Sequence, residues 1–273
     1  MPRSNQRILA VSPRLAGVER LFTYRDLTIN GVTVSPMFAF RGVDATLTQW
    51  VCAQTGTILS IAGAGTAPTV GGYGPYLDDR SVAFQNAKYY TAPNNTFGDI
   101  ATEDFCVEAV SFIPTAGVAE YWMGHYNGTG YLITRSAGST NTSLFWRDGA
   151  TAKSTLLQPV VATWNHEMWF VNVSENSVNG SVGYLNTVAG SGTNPSGLGS
   201  LSAATPFQLG AANASAPCAT YIAWLAAWKL SNWFAAGAAG PAEWAIIARQ
   251  RMALWTGNRA LYQANDTTTP SSL

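Results

Sequence analysis

Glu103-Asp104-Phe105-Cys106-Val107-Glu108-Ala109-Val110-Ser111-Phe112-Ile113 is the stretch on which the reading of this chain turns. From Asp104 to Ile113 it is rich in aromatic and β-branched side chains and has no Gly or Pro. Such a run predicts a β-strand.

Outward from it, strand follows strand. Ser81–Ala87, Tyr121–His125, Tyr131–Arg135, Ser143–Trp146, Met168–Val173, Val182–Leu185 and Tyr221–Leu230 read the same way. Asn, Gly and Ser clusters separate them, as at Asn127-Gly128 and Asn179-Gly180. Many short strands with turn residues between them predict an all-β sandwich or jelly roll. Phe84, Phe105, Val107, Trp169 and Trp224 are expected in its core, and Trp164 and Trp228 with them. Leu27-Thr28-Ile29-Asn30-Gly31-Val32-Thr33-Val34 predicts a hairpin, with Asn-Gly at the turn. Ala45 to Leu77 holds no charged residue and is punctuated by glycines, which suits short strands. Residues 189–200 predict a long flexible Gly/Ser loop. One helix closes the chain: Pro241 fits its first position, Glu243 its first turn and Gly257 its C-terminal cap.

The chain therefore divides into an N-terminal arm and hairpin (1–39), a sandwich with its closing helix (40–258) and a flexible tail (259–273). In the arm, Arg3, Arg7, Arg14, Arg20 and Arg25 stand against Glu19 and Asp26. That local positive charge suits docking on an acidic neighbouring subunit through bidentate carboxylate contacts. A terminus without fixed structure has the same composition.

Fifteen Lys and Arg balance fifteen Asp and Glu across 273 residues, giving a net charge of zero. A nucleic-acid-binding surface would call for a basic excess. Charged residues make up 11% of the chain, well below the roughly 25% of ordinary soluble domains. A surface so poor in charge suits a protein that lives in assemblies, with other subunits or copies of itself as partners. Ile8–Val11 is too short an apolar core for a signal peptide. Lys229, Ser231 and Asn232 interrupt the apolar stretch 221–239, so it is read as a strand and a loop, with no membrane insertion. Cys52, Cys106 and Cys218 form no CxxC pair and read as buried thiols.

The order of several short motifs resembles the concanavalin A-like lectin/glucanase superfamily, in its laminin-G-like branch. They are Ser81-Val82-Ala83-Phe84, then Asp104-Phe105-Cys106-Val107-Glu108-Ala109, then Trp164-Asn165-His166, then Phe207-Gln208-Leu209-Gly210. The match covers roughly residues 42–235. It departs from the branch where many members carry a "v-N-G" turn, because Gly183-Tyr184-Leu185-Asn186-Thr187 stands there. The resemblance implies a concanavalin A-like jelly roll, of the kind found in bacteriophage virion proteins as decoration, fibre or tail subunits. That in turn implies location in the virion. It implies carbohydrate binding as an alternative role, and glycoside hydrolysis as a more distant one.

Glucanases of this fold carry paired carboxylates on one strand. Here Glu103 and Asp104 are adjacent in sequence and so point to opposite faces of a strand. Asp104 and Glu108 share a face but lie about 13 Å apart at roughly 3.3 Å per residue. Retaining enzymes need about 5–5.5 Å and inverting ones about 6.5–9.5 Å, so no catalytic residue is assigned. His166-Glu167 opens like a zincin motif, but no second His follows. Calcium is the superfamily's usual metal, and Asp78, Asp79, Asp99 and Asn127 are suitable oxygens without an organised spacing. No cofactor is expected. Lectins of this fold use loop aromatics on sugar rings. Trp122, Tyr126 and Tyr131 flank the Asn127–Gly130 turn as an exposed sugar platform, with His125 and Asn127 supplying hydrogen bonds. Packing in the core is the other reading of the same aromatics.

Deleting residues 1–25 separates the two readings of the arm. The truncated domain should keep its β-type circular dichroism spectrum and fail to join its particle. Full incorporation would put the anchoring surface elsewhere.

Overall fold

Phe105–Phe112 forms the middle strand of one of two antiparallel sheets and is buried on both faces. Phe105, Val107 and Ala109 point between the sheets, and Cys106 and Val110 point to the outside of their own sheet. Strands covered on both sides read as near-continuous apolar runs. The computed structural model of the chain describes residues 26–29, 32–73, 80–85, 88–94, 97, 100, 102–115, 119–135, 139–173, 175–197, 199–202, 204–212, 218–230 and 241–256. The five arginines of the arm, Asp78, Asp79, Asp99, Gly257 and the tail lie outside these residues.

Along the chain, β1 (Leu27–Ile29) and β2 (Val32–Val34) form the expected hairpin. β3 (Phe38–Arg41) joins the rear sheet. β4 (Gln49–Val51) and β5 (Ile58–Ala62) belong to the front sheet, β6 (Thr69–Tyr73) and β7 (Arg80–Ala83) to the rear. β8 (Tyr89–Asn94) returns to the front and β9 (Phe105–Phe112) to the rear. β10 (Glu120–Tyr126), β11 (Thr129–Arg135), β12 (Thr142–Asp148) and β13 (Ala152–Leu157) form a front-sheet meander. β14 (Trp164–Val171), β15 (Ser181–Leu185) and β16 (Val188–Ala189) extend the rear sheet. β17 (Pro206–Leu209) inserts in front, β18 (Tyr221–Lys229) behind, and α1 (Pro241–Thr256) follows. The front order is β13-β12-β11-β10-β17-β8-β5-β4; the rear order is β16-β15-β14-β9-β18-β7-β6, with β3 also pairing β18. This is the all-β jelly-roll sandwich with a C-terminal helix that the strand spacing predicts.

Between the sheets lies an aromatic-rich core that includes Trp50, Trp122, Trp146 and Trp169. Phe84, Phe105, Val107, Trp169, Trp224 and Trp228 are buried as expected, while Trp164 is half-buried. The glycine of the Phe207–Gly210 motif has a physical reason. Gly210 has φ +82°, and a Cβ there would stand 2.2 Å from the Phe84 ring. All three cysteines are buried free thiols.

Two sequence expectations change. Residues 189–200 are tied down rather than flexible. Thr193 exchanges backbone hydrogen bonds of 2.8 and 3.0 Å with Ser181, and the Gly199 N–H donates to the Asp148 carboxylate at 2.7 Å. The turn that departs from "v-N-G" is a tight β15–β16 hairpin with Asn186 at φ +48° and Thr187 at φ +73°. Asn186 keeps the motif's place, and its Oδ1 accepts the His166 N–H at 2.8 Å. Thr187 occupies a left-handed position that favours glycine.

Buried charge ties the layers together. Behind the rear sheet, Glu108 accepts from Arg251 Nε at 2.9 Å and from a terminal Arg251 nitrogen at 2.6 Å. It also accepts from Trp224 Nε1 at 2.5 Å and His166 Nε2 at 2.7 Å. The Arg251 guanidinium lies between the Trp224 and Trp228 rings, 5.6 and 5.5 Å from their centroids. The Trp244 ring of α1 stacks on Phe170 of β14 at 5.3 Å. Burial alone would raise the Glu108 carboxyl, but the Arg251 guanidinium and His166 outweigh it and bring it down to about 2. Between the sheets, Glu167 of β14 accepts from the Ser111 hydroxyl at 2.7 Å and from the Thr142 hydroxyl of β12. With no cation in this set, burial dominates and pushes Glu167 up to about 7.

The two carboxyls give opposite pH signs. Glu108 is depressed in the folded state, so its stabilisation is present above about pH 4.5 and is lost as pH falls through about 2. Glu167 is raised, so stability falls as pH rises from about 4.5 through about 7, by about 3 kcal/mol in all. Thermal melts of the parent should decline between pH 5 and 8, and those of Glu167→Gln should lose that decline. An unchanged slope would contradict the assignment. Arg251→Ala leaves Glu108 buried without its guanidinium and should cost about 3–5 kcal/mol in denaturant unfolding. A cost below about 1 kcal/mol would contradict the ion pair's role in docking α1.

Candidate functional site on the front sheet

The outer faces of the two sheets differ. Behind the rear sheet, Leu27 of the hairpin and Trp244, Ile247, Ala248 and Met252 of α1 are buried. All but Met252 belong to one cluster with Val110, Phe170, Trp224 and Trp228. The outward positions of the front sheet reach solvent at Ser60, Pro93, Pro206, Ala152 and Leu156, while Gln208, Gly124, Gly130, Leu132 and Ser143 between them are buried.

Strand register fixes what this face presents. Thr91, Gln208, Gly124, Leu132 and Phe145 stand side by side across β8, β17, β10, β11 and β12. One step along the strands, Tyr126, Gly130, Arg147 and Ala152 form a second row. Tyr126 and Phe145 meet edge-to-face, with centroids 5.7 Å apart and planes at 80°. Both are half-buried, so each keeps surface open to solvent beside the exposed Asn127. The small residues Gly124 and Gly130 stand next to them, both buried. Ala212 sits over Gly124, where an added Cβ would stand 2.6 Å from its side chain.

The platform expected of Trp122, His125, Tyr126, Asn127 and Tyr131 does not assemble as such. A β-bulge between Tyr121 and Met123 sets the facing of β10. Past it, His125 turns inward opposite Tyr131, their rings 6.0 Å apart. Tyr131 packs against Phe105 in the core, 5.9 Å between centroids. Trp122 is buried too, and its Nε1 donates to Glu120 at 3.0 Å. Glu120 also binds Arg135 and the Thr220 hydroxyl. Exposure therefore holds for Asn127 and in part for Tyr126, and is corrected for Trp122, His125 and Tyr131. Phe145 and Arg147 were missed. The alternation of Phe145-Trp146-Arg147 carries the signal, because Trp146 is buried and its two neighbours must then face outward.

The carboxylates weighed for catalysis do not converge. Glu103 pairs with Lys229 at 2.8 Å, Asp104 accepts the Val173 N–H at 2.7 Å, and Glu108 lies under α1. Among the described residues, the outward positions of the front sheet carry no Asp or Glu. No group of three or more His, Cys, Asp or Glu side chains there is placed to hold a metal ion. No described helix is long and apolar enough to cross a membrane.

No protein-family profile matches the chain, and no curated protein matches it in sequence. Solved structures do match in shape. Domain 4 of the GH43 extracellular arabinanase AbnA from Geobacillus stearothermophilus, in complex with arabinotriose, aligns with TM-score 0.54 and 16% identity. The alignment covers 79% of this chain and 98% of that one. The botulinum neurotoxin serotype G binding domain aligns with TM-score 0.53 at 9% identity, over 71% of this chain and 48% of that one. The binding domain of Paraclostridial Mosquitocidal Protein 1 gives TM-score 0.52 at 10% identity, over 71% and 48%. The chain thus spans about half the length of the toxin domains. At these identities the likeness is one of fold: this chain shares the β-sandwich of those domains.

Proposed function

We propose that the chain is a non-catalytic glycan-binding module that engages sugars with the outward face of its front sheet. The half-exposed Tyr126–Phe145 pair carries this reading. Aromatic rings offer apolar faces to the C–H faces of sugar rings, and their polar surroundings orient the hydroxyls. Thr91 and Asn127 supply such polar groups on the same face or beside it. The arabinotriose complex of a structural neighbour adds support, as does a neighbouring neurotoxin binding domain described in complex with SialylT. The absence of carboxylates from the described outward positions supports binding over hydrolysis.

The module's setting is a second part of the proposal. It serves as a structural or decoration subunit of a phage-type virion, located in the particle and associated with other subunits or copies of itself. The sparse charge and the arginine-rich segment 3–25 support this. Stoichiometric copurification with a large particle tests it, and a chain found only free would contradict it.

Glycan-array binding tests the first part. Tyr126→Ala and Phe145→Ala should each weaken saccharide binding by about tenfold, equivalent to about 1.4 kcal/mol, with thermal stability little changed. Retention of full binding in both variants, or no binding by the parent, would contradict it.

A further inference from the structure

Among the described residues, the cation on this face has no carboxylate partner. Arg147 is half-buried at the outward side of β12, and its Nε is buried without a hydrogen-bond acceptor. No salt bridge joins Arg147 to any described carboxylate. By contrast, Arg41, Arg135 and Arg251 each have a carboxylate partner.

The register places small residues on both sides of Arg147. Gly130 stands across from it on β11 and Ala152 on β13, and neither carries a side chain beyond Cβ. Phe145 lies two residues back on the same face. Tyr126 lies beyond Gly130, two strands from Arg147, about 10 Å at the usual strand spacing. A cation and an aromatic pair thus stand on either side of Gly130, at a distance that one or two sugar rings would span.

We propose that Arg147 makes the front-sheet site selective for saccharides bearing a carboxylate, a uronate or a sialate. This rests on the glycan-binding reading above and adds the ligand class to it. A partly desolvated guanidinium whose Nε lacks an acceptor has lost hydration that no described residue replaces. A ligand carboxylate replaces it through the two parallel N–H···O bonds that the guanidinium fork matches. The aromatic pair holds the apolar face of the ring, and the fork fixes the ring's orientation through its acidic group. Among the described outward positions of the front sheet Arg147 is the only basic side chain. One cation suits the single charge of a carboxylate better than the higher charge of a phosphate.

Calorimetric titration of the full chain tests the inference with two pairs of probes: trigalacturonate against its methyl ester, and 3′-sialyllactose against lactose. At least one acidic probe should bind about tenfold or more tighter than its neutral counterpart, and which pair does so tells uronate from sialate. Arg147→Gln should remove that preference. Arg147→Lys, which keeps charge without the fork, should restore it only in part. Equal affinity for acidic and neutral probes, or a preference that survives Arg147→Gln, would overturn the inference and leave glycan binding standing. No binding of any of the four probes, with no sugar bound on the array, would remove both.

Discussion

A carboxylate buried at the centre of the rear sheet constrains the molecule. Glu108 sits in the middle of β9, out of reach of water, and is held ionised. A buried charge persists only with its hydrogen bonds filled and a counter-charge close by. The sheet supplies part of this from Trp224 and His166, but the guanidinium comes from Arg251 near the end of the chain. The rear sheet is therefore complete only when α1 is seated. The seating is specific in rotation as well as position, because the Arg251 fork must meet both oxygens of Glu108 between two indole rings. Apolar contacts such as Trp244 on Phe170 supply burial but would tolerate more than one arrangement.

That arrangement decides which surface is available. With the helix and hairpin on the rear face, the solvent-reaching outward side chains of the β10–β13 meander lie on the front sheet, at Tyr126, Phe145, Arg147, Ala152 and Leu156. Its geometry is anchored from inside. Glu167 of the rear sheet takes a hydroxyl from Thr142 at the start of β12, the strand that carries Phe145 and Arg147. Glu120 at the start of β10 gathers Arg135, Trp122 and Thr220 into one network. Asp148, at the far end of β12, takes three backbone N–H groups, from Gly199, Thr151 and Ala150, and these hold its carboxyl below the usual range. The outward side chains thus stand on strands fixed at both ends.

Much of the fold was legible in the sequence. The run from Phe105 to Phe112, rich in aromatic and β-branched residues and free of Gly and Pro, marked a strand, and Pro241 and Glu243 marked the start of α1. The short motifs proved to be structural contacts: Glu108 and His166 meet at 2.7 Å, and Gly210 makes room for Phe84. Weakly patterned strands were harder to see, as with β8, which contains Pro93, and β13, an edge strand with exposed positions. The site was less legible. A single bulge in β10 decides which of Trp122, His125 and Tyr126 faces water, and no local sequence signal marks where a bulge falls. That Glu108 and Arg251 pair across 143 residues is likewise set by the topology, not by any spacing.

The central claim is that the rear face is sealed while the front face binds. Hydrogen–deuterium exchange of the whole chain, with and without saturating trigalacturonate, reads both faces in one experiment. The account predicts slow exchange in β9, β18 and α1 in both states, and new protection on ligand addition in segments 124–132 and 143–147. Fast exchange in α1, or ligand-induced protection centred on the rear sheet or the helix, would contradict it.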